Sequence, residues 1–289
     1  MSGIRIVSDS TSDLSKELIE RWNISILPLH VLMGDEEYED GPALSPEDIF
    51  RWSDEHKTTP KTSAPSAVSA IELFRGLLSE ADDIIAFSIS SSMSASFSVM
   101  EMAAEELKAE NRIHVIDSQN LSTGIGLQVL RAAQHAENGV PAAEIVREIK
   151  EMRARVRASF VVDTLTYLHR GGRCGGLAAL AGGILKIHPR IAVADGAMHP
   201  EQKYRGRMDR VVMSYVKDME SALKNAEPDR VFITHSGCSR ELLDKVRDYL
   251  VSLGIFEEIL ETRAAGVISS HCGPGTLGVL FTEKKSGEA

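Results

Sequence analysis

Cysteine is scarce in this chain, and long apolar runs are absent from it. The three cysteines (Cys174, Cys238 and Cys272) lie far apart, with no Cys-x-x-Cys pair and no Cys/His spacing suited to zinc. This usage predicts free thiols in a reducing cytoplasm and no metal site. No stretch reaches the roughly 18 apolar residues of a membrane span, and the start, MSGIRIVSDSTSD, is unlike a signal peptide. We therefore expect no integral membrane segment and a cytoplasmic location.

Positive charge is also in short supply. The 289-residue chain has 32 lysines and arginines against 42 aspartates and glutamates, a net charge of −10. This balance argues against nucleic acid as a partner, because phosphate backbones require a basic face. It leaves room for a small anion held by local arginines. The HExxH, Walker A and GxSxG patterns are missing too, which removes the commonest metalloprotease, nucleotide-binding and serine-hydrolase signatures.

What is present is a regular alternation of short β-rich runs and helical patterns through the first half. The runs IRIV, DIIAFSI and IHVID are each followed by a helical pattern, which predicts an open parallel sheet. In the second half the strands come in adjacent pairs, which predicts a mixed or antiparallel sheet with helices on one side. We predict an α/β protein of two domains, residues 1–157 with the parallel sheet and residues 158–289 with the mixed sheet.

Four short segments give more local predictions. The run ISILPLHVLM (24–33) predicts one strand, and Ser63 with Pro65 predicts the start of a helix. The pair Asp195–Gly196 predicts the turn of a β-hairpin. The segment VISSHCGPGTLGVLF (267–281) predicts two short strands around a Gly-Pro turn.

Polar groups follow three of the predicted strands, in SDSTSD, SSSMSAS and DSQNLSTG. Ligands of open α/β sheets bind beyond the carboxyl ends of the strands, where these groups would meet. Thr62, Ser63 and Ser94 stand at predicted helix starts, where hydroxyls and unpaired N–H groups can hold an anion. The alternative is that these residues only cap their helices, which contributes about 1 kcal/mol per helix.

Three further segments have both a structural and a functional interpretation. In RGGRCGG, Arg170 and Arg173 flank glycines that let a phosphate or carboxylate approach closely, but the same residues fit an exposed helix end. The small, apolar LAALAGGILKI fits either a closely packed helix or the lining for a long apolar guest. In HCGPGTLG, His271 precedes a Gly-Pro turn, where its ring can face a cleft or make a structural hydrogen bond.

Taken in order, these motifs resemble those of the DegV family of bacterial lipid-binding proteins. The resemblance runs from residue 6 to residue 278 and rests on IVSDSTSDL (6–14), KTSAPS (61–66), ISSSMSASF (89–97), VIDS (115–118), FVVDTLTYLHRGGR (160–173), ADGAM (194–198), KYRG (203–206) and HCGPGTLG (271–278). One departure lies in the serine-rich segment, where the family's LSGT reads MSAS. Ala95 thus replaces a glycine and Ser96 a threonine, while Ser94 keeps the hydroxyl.

The resemblance implies a two-domain α/β protein that binds one long-chain fatty acid between its domains. It also implies that the chain is no enzyme itself but the acyl-carrying subunit of a bacterial fatty acid kinase. A separate ATP-binding subunit would make the acyl phosphate that feeds phospholipid synthesis, and no cofactor or metal is implied. The carboxylate would be bound by Thr62, Ser63, Ser94 and His271. The kinase or the phosphate would be contacted by Arg170, Arg173 and Arg205.

Two alternatives stay open at this point. One is a serine-dependent lipid hydrolase that uses Ser94 and His271 with an acid such as Asp9 or Asp117, although a nucleophile-elbow pattern is missing. The other is a self-sufficient kinase, for which RGGRCGG is the candidate nucleotide loop. The sequence leaves open the length and unsaturation of the acyl chain, the identity of the kinase partner and the oligomeric state.

Overall fold

The computed structural model describes residues 3–174 and 187–285, which form three β-sheets with helices packed around them. In chain order the strands are β1 (Ile4–Asp9), β2 (Ser25–Leu27), β3 (His30–Met33), β4 (Glu36–Glu39), β5 (Lys61–Ser63), β6 (Asp83–Ser88), β7 (Ile113–Asp117), β8 (Val156–Val161), β9 (Ile187–Ala194), β10 (Ala197–Arg205), β11 (Ala226–His235), β12 (Glu258–Arg263) and β13 (Leu277–Glu283).

The helices lie between these strands, and single turns of 3₁₀ helix occur at Ser10–Ser12 and Arg153–Arg155. In chain order the α-helices are α1 (Lys16–Arg21), α2 (Pro46–His56), α3 (Ala67–Leu78), α4 (Ser96–Glu106), α5 (Thr123–Glu137), α6 (Ala142–Met152), α7 (Thr166–Gly171), α8 (Met208–Asp218), α9 (Glu220–Lys224), α10 (Arg240–Ser252) and α11 (Gly266–Cys272). In the described part of the chain, none of these helices is long and apolar enough to span a membrane.

The predicted parallel sheet is confirmed in the first half of the chain. Its order is β2-β1-β6-β7, and every neighbouring pair is parallel. Alternate residues of β6 enter different cores, because successive side chains of a strand point to opposite faces. Ile84 packs in a cluster with side chains of α3 and α4, whereas Ile85 packs with side chains of α5 and α6. Both faces are therefore covered, as expected for a parallel sheet.

The predicted mixed sheet is confirmed in the second half. Its order is β10-β9-β8-β13-β11-β12, with β11 and β12 parallel and the other pairs antiparallel. The β9–β10 hairpin turns at Asp195 and Gly196, whose φ angles of 50° and 76° suit the tight turn predicted from this pair.

The two sheets share one buried apolar cluster. Ile85 of the parallel sheet and Phe160 and Leu280 of the mixed sheet belong to it, with side chains of α5 between them. The other face of the mixed sheet is covered by α8 and α10 through a separate cluster around Tyr215. The domain boundary predicted between residues 157 and 158 falls within β8 and stays a prediction.

A small third sheet corrects one prediction from the sequence. The run 24–33 is not a single strand, because Pro28 separates β2, which joins the parallel sheet, from β3. Strand β3 pairs instead with β4 and β5 in an antiparallel sheet of order β4-β3-β5. Proline lacks the N–H that would continue a strand's hydrogen bonds, which explains the break.

A second correction concerns the segment that carries His271. The residues VISSHC form most of α11 rather than a strand, and only LGVLF continues as β13. The helix packs against α7, α2 and the small sheet. Buried carboxylates from distant parts of the chain accept hydrogen bonds from the N–H groups at its start. The local sequence pattern does not reveal these contacts.

Candidate functional site

A cavity of about 210 Å³ lies where the parallel sheet, the small sheet and α11 meet. Most of its wall is apolar, and its polar groups are two hydroxyls of β5, the hydroxyl that precedes α4, one histidine and one arginine. The lining residues are Leu29, Thr62, Ser63, Ala64, Ile89, Met93, Ser94, Ala95, Leu121, Arg173, Met198, Val267, Ile268, His271 and Cys272. The four residues predicted to bind a carboxylate thus line one cavity.

Thr62 and Ser63 reach the cavity from a strand and not from a helix start. They lie in β5, where Thr62 pairs with Val31 of β3. The prediction that Ser63 caps the next helix is wrong, because Ser66 has that role and its hydroxyl accepts a hydrogen bond from the Ser69 N–H at 3.0 Å. Since Ser66 satisfies the helix end, the hydroxyls of Thr62 and Ser63 are not needed for capping.

Ser94 lies two residues before α4 begins. Its Oγ accepts a hydrogen bond from the Ser96 N–H at 3.2 Å and lies 3.0 Å from the Ser96 hydroxyl. Ala95, at the N-cap position, has no side chain that can cap the helix. The Ser94 hydroxyl therefore satisfies a first-turn N–H group and still lines the cavity.

The other serines of the segment 88–98 explain its composition, because they fix the loop. The Oγ atoms of Ser90 and Ser92 both donate to the Gly196 carbonyl, at 2.6 and 2.5 Å. Ser91 donates to Asp117 at 2.6 Å. These bonds tie the end of β6 to the β9–β10 hairpin and to the end of β7, and they hold Ser94 in the cavity wall.

His271 lies in the last turn of α11, and its Nε2 is 2.8 Å from the Thr62 Oγ1. Its Nδ1 is buried without a hydrogen-bond partner among the described residues. It faces Gly171, where a Cβ atom would come within 2.3 Å of it. Burial, and after it the nearby charge of Arg173, lowers the pKa of His271 to about 4. The imidazole is therefore neutral at pH 7.

The hydrogen bonds of His271 also indicate which nitrogen carries the proton. A buried N–H without an acceptor is rarer than a buried lone pair without a donor, so the proton belongs on Nε2. In that tautomer Nε2–H donates to the Thr62 Oγ1. The hydroxyl proton of Thr62 is then available to a ligand in the cavity.

Two buried aspartates that the sequence analysis did not name as site residues hold α11 in place. Asp13 accepts hydrogen bonds from the Ala265 N–H at 2.8 Å and from the Ser122 hydroxyl at 2.5 Å. Asp40 accepts from the Val267 N–H at 3.2 Å. Burial raises the pKa of both carboxyl groups, that of Asp13 to about 8. Asp13 is the last residue of the motif SDSTSD, so the sequence contained an indication of its importance. No sequence motif indicated Asp40.

Asp9, the second residue of the same motif, supports the serine loop instead. Its Oδ2 accepts from the Ile89 N–H at 2.8 Å, and its Oδ1 accepts from the hydroxyl and the N–H of Thr11. Burial raises its pKa to about 6. The three predicted strand-end segments therefore converge, as expected for parallel strands, but their carboxylates face backbone N–H groups and hydroxyls and not the cavity.

The three arginines predicted from RGGR and KYRG lie at different places. Arg173 lines the cavity, and its Nη1 donates to the Gly171 carbonyl at 2.8 Å. Arg170 is exposed in the last turn of α7. Arg205 ends β10, seven residues from the cavity residue Met198 and thus about 20 Å along the strand. Arg205 is therefore not brought to the polar end of the cavity. The segment LAALAGGILKI lies outside the described residues apart from its last residue.

The geometry does not favour a serine hydrolase. Within residues 3–174 and 187–285 no hydrogen bond joins Ser94 to His271, whose Nε2 contacts Thr62 instead. Asp9 accepts its hydrogen bonds from Thr11 and Ile89, and Asp117 accepts from Ser91 and Gln119. Neither carboxylate orients the imidazole, as the base of a catalytic triad requires.

A parallel-sheet half joined to a mixed-sheet half, with an apolar cavity that ends in hydroxyls and a neutral histidine, defines a two-domain α/β protein with a small-ligand site. The chain belongs to the DegV family, since the model of that family, described as "Uncharacterised protein, DegV family", matches residues 3–284.

Relatives extend this likeness over nearly the whole chain. A DegV domain-containing protein of Caldanaerobacter subterraneus is 32% identical over 286 residues, 98% of this chain and 100% of the relative. Among solved structures, the fatty-acid-binding DegV family protein of Thermus thermophilus has a TM-score of 0.90 at 31% identity and covers 97% of this chain and 99% of its own. DegV of Bacillus subtilis, a fatty acid binding protein, has a TM-score of 0.84 at 28% identity, with 98% of this chain and 100% of its own covered.

Proposed function

We propose that this chain binds one long-chain fatty acid in the cavity and presents the carboxylate to a separate ATP-dependent kinase subunit in the cytoplasm. The observation that carries the proposal is the hydrogen bond between Thr62 and the neutral His271 at the polar end of an apolar cavity. The fatty-acid-binding relatives from Thermus thermophilus and Bacillus subtilis support the ligand class.

The carboxylate is bound by hydroxyl donors and not by a salt bridge. Thr62 donates its hydroxyl proton because His271 supplies the hydrogen bond that its oxygen accepts. Ser94 and Ser63 provide further hydroxyls in the same wall. Hydrogen bonds to a charged acceptor contribute about 1.5–3 kcal/mol each, which is enough to select a carboxylate end over an apolar one.

The acyl tail occupies the apolar part of the cavity. A second, smaller space of about 30 Å³ shares Leu121, Ile268 and Cys272 with it, which gives the tail a direction in which to extend. Burial of about 14 methylenes at roughly 0.8 kcal/mol each gives about 10 kcal/mol before ordering costs. That magnitude is sufficient for the proposed ligand to be retained during purification.

Phosphorylation is the work of the partner. The carboxylate oxygen attacks the γ-phosphorus of ATP in the kinase subunit, ADP leaves, and an acyl phosphate remains on this chain. Neutral donors leave the carboxylate with more of its charge for that attack than an arginine pair would. In this proposal Arg173 at the cavity and the exposed Arg170 contact the kinase or the new phosphate, whereas Arg205 makes only a more distant contact.

The first test is mass spectrometry of the purified protein, native and then denatured, with fatty acids identified in the organic extract. We expect one fatty acid per wild-type chain. Thr62→Val and Ser94→Ala should each retain less, by about tenfold in affinity, because each removes one hydrogen bond to a charged group. The matched controls Thr58→Val and Ser98→Ala, at exposed positions of the neighbouring segments, should retain wild-type amounts. Full retention by the double Thr62→Val/Ser94→Ala variant would contradict the site assignment.

A second test addresses the kinase partner. Fatty-acid-loaded protein is incubated with ATP, with and without the cognate kinase subunit, and acyl phosphate is trapped with hydroxylamine. We expect hydroxamate only when both proteins are present. Hydroxamate formed by the isolated chain would instead show a self-sufficient kinase, and labelling of Ser94 by a fluorophosphonate would revive the hydrolase.

A further inference from the structure

A second cavity of about 340 Å³ is lined by residues that follow β7 and by residues of β8 and β9. Three arginines from three different elements line it: Arg153 of the 3₁₀ turn after α6, Arg157 of β8 and Arg190 of β9. Two carboxylates, Asp195 of the β9–β10 turn and Glu201 of β10, also line the cavity. The remaining lining comes from the residues after β7, the end of β9, β13, α9 and Met219 between α8 and α9. The arginines therefore outnumber the carboxylates in the lining.

The cavity exists because two neighbouring strands part. The β8–β9 pairing has three residue pairs and ends at Ser159 and Ala192. Beyond that pair, the start of β8 and the end of β9 diverge, and the space opens between them. Since Val161 pairs with Arg190, alternate residues place Arg157 and Arg190 on the same face of the sheet. That face is the one covered by α8, where Arg190 lies over the Tyr215 ring at 5.7 Å.

The arginines have donors to spare for a ligand. The Nη1 of Arg153 donates to the Asp117 carbonyl at 2.9 Å. Arg157 donates through Nη1 to the Ala154 carbonyl at 2.8 Å and pairs through Nη2 with Glu283 at 2.6 Å. The Nε of Arg190 lies 3.2 Å from Glu201 but is buried and makes no hydrogen bond in the described structure. Each guanidinium carries five N–H donors, so most of them remain for an anion.

We propose that this cavity is a binding site for a small phosphate-bearing molecule, distinct from the fatty acid site. Guanidinium groups bind phosphate oxygens in pairs of parallel hydrogen bonds, and three of them around one space suit a group with more than one negative charge. Apolar side chains of Val156, Met219 and Phe281 complete the wall and accommodate the organic part of the ligand.

Neighbouring residues of one segment line the two cavities. Gln119 and Asn120 line the second cavity, and the next residue, Leu121, lines the first. Gly196 lines the second cavity, and its carbonyl accepts the hydrogen bonds of Ser90 and Ser92, which fix the loop that carries Ser94.

Isothermal titration calorimetry with inorganic pyrophosphate, at constant ionic strength, tests the site without any fatty acid step. We expect saturable binding at submillimolar concentration and at least about tenfold weaker binding for Arg190→Gln and Arg157→Gln. Arg157, whose side chain is 45% exposed, is the safer substitution for folding. The control Arg147→Gln removes the same charge from an exposed position of α6 and should bind as the wild type does.

Two results would overturn the proposal. One is the lack of saturable heat up to about 10 mM pyrophosphate, a concentration far above any useful affinity. The other is equal weakening by Arg147→Gln, which would mean general charge attraction. Because the readout is pyrophosphate binding, failure here leaves the fatty acid proposal standing, and loss of fatty acid retention in the variants of Thr62 and Ser94 leaves this proposal standing.

Discussion

The two sides of the proposed fatty acid cavity are held in place by different means. On the serine side, Ser94 sits in a loop whose own hydroxyls bind the loop to neighbouring strand ends. On the histidine side, His271 lies on a seven-residue helix, and the buried Asp13 and Asp40 accept hydrogen bonds from the N–H groups at its start. The serine side relies mainly on neutral hydroxyl bonds, with Asp9 and Asp117 as its carboxylate acceptors. On the histidine side, buried carboxyl groups accept the hydrogen bonds at the start of the helix, and the pKa of Asp13, about 8, is higher than that of Asp9, about 6.

The difference matters because neutral bonds are insensitive to pH, whereas buried carboxyl groups are not. A carboxyl group with a raised pKa costs folding free energy once the solution pH ionises it in the unfolded chain. The short helix α11 is too short to be stable alone, so its position depends on these groups and on packing. We therefore expect the histidine side to be the more sensitive to substitution and to pH.

The largest effect should come from pH acting on Asp13. Its folded pKa of about 8 lies above the ordinary value of 3.8, so the stability linked to this group is full below about pH 4 and is lost as pH rises through 8. The Asp13→Asn variant cannot ionise. Its free energy of unfolding should therefore gain on the wild type by about 4 kcal/mol between pH 5 and pH 8.

Urea unfolding at several pH values measures this difference. The lowered pKa of His271 makes both proteins less stable as pH falls from 6.5 to 4, and this shared effect cancels in the comparison. Parallel curves for wild type and Asp13→Asn would mean that Asp13 is ionised in the folded protein.

A smaller effect separates the hydrogen bonds of Asp13 from its charge. Asp13→Ala and Asp13→Asn are both neutral, but only asparagine can accept from the Ala265 N–H and contact Ser122. We expect Asp13→Ala to be less stable than Asp13→Asn by about 3 kcal/mol, because a buried N–H loses its acceptor. Asp35→Ala, at an exposed position, should differ from wild type by less than about 0.5 kcal/mol in the same unfolding experiment.

The contact between α7 and α11 gives the next effect in size. A methyl group at residue 171 would lie 2.3 Å from the Nδ1 of His271, so Gly171→Ala must move the imidazole. We expect about tenfold weaker fatty acid binding, or about 1.4 kcal/mol, in a titration of delipidated protein. The control Gly76→Ala adds a methyl group to α3 where no atom lies within 4 Å, and should bind normally. Unchanged binding by Gly171→Ala would show that the ring position does not matter.

The serine side should show the smallest effect. In Ser92→Ala the Gly196 carbonyl keeps the hydrogen bond from Ser90, so we expect less than about 1 kcal/mol of lost stability and at most threefold weaker binding. The double variant Ser90→Ala/Ser92→Ala removes both donors and should cost about 2 kcal/mol in thermal or urea unfolding. A single-serine variant as damaging as Asp13→Ala would remove the contrast between the two sides.

The sequence predicted what depends on local pattern. The parallel and mixed sheets follow from the order of strands and helices, and the Asp195–Gly196 turn follows from two residues that tolerate positive φ. The convergence of Ser94 with the other strand-end groups follows from the shared edge of parallel strands. The roles of the predicted site residues in ligand binding stay predictions until the variants are measured.

Contacts between distant segments could not be predicted from pattern. The helical state of VISSHC depends on Asp40, which accepts a hydrogen bond from the Val267 N–H. The two residues are 227 positions apart in the chain. The segment TSAPS offers two serines, Ser63 and Ser66, as candidates for capping α3. Only the strand pairing of β5, in which Thr62 pairs with Val31, excludes Ser63. Pro28 indicates a break in the run 24–33, but the alternating apolar residues of that run favoured the prediction of a single strand.

The hydrogen bond between Thr62 and His271 joins residues that are 209 positions apart in the chain. During synthesis the parallel sheet, the small sheet and the serine loop emerge long before α11 does. Ribosomes add residues at about 5–20 per second, so many seconds pass between the synthesis of Thr62 and that of His271. A nascent or C-terminally shortened chain thus has the hydroxyls but not the imidazole that orients them. In the proposed function, the complete set of carboxylate-binding groups therefore exists only after residue 271 has left the ribosome.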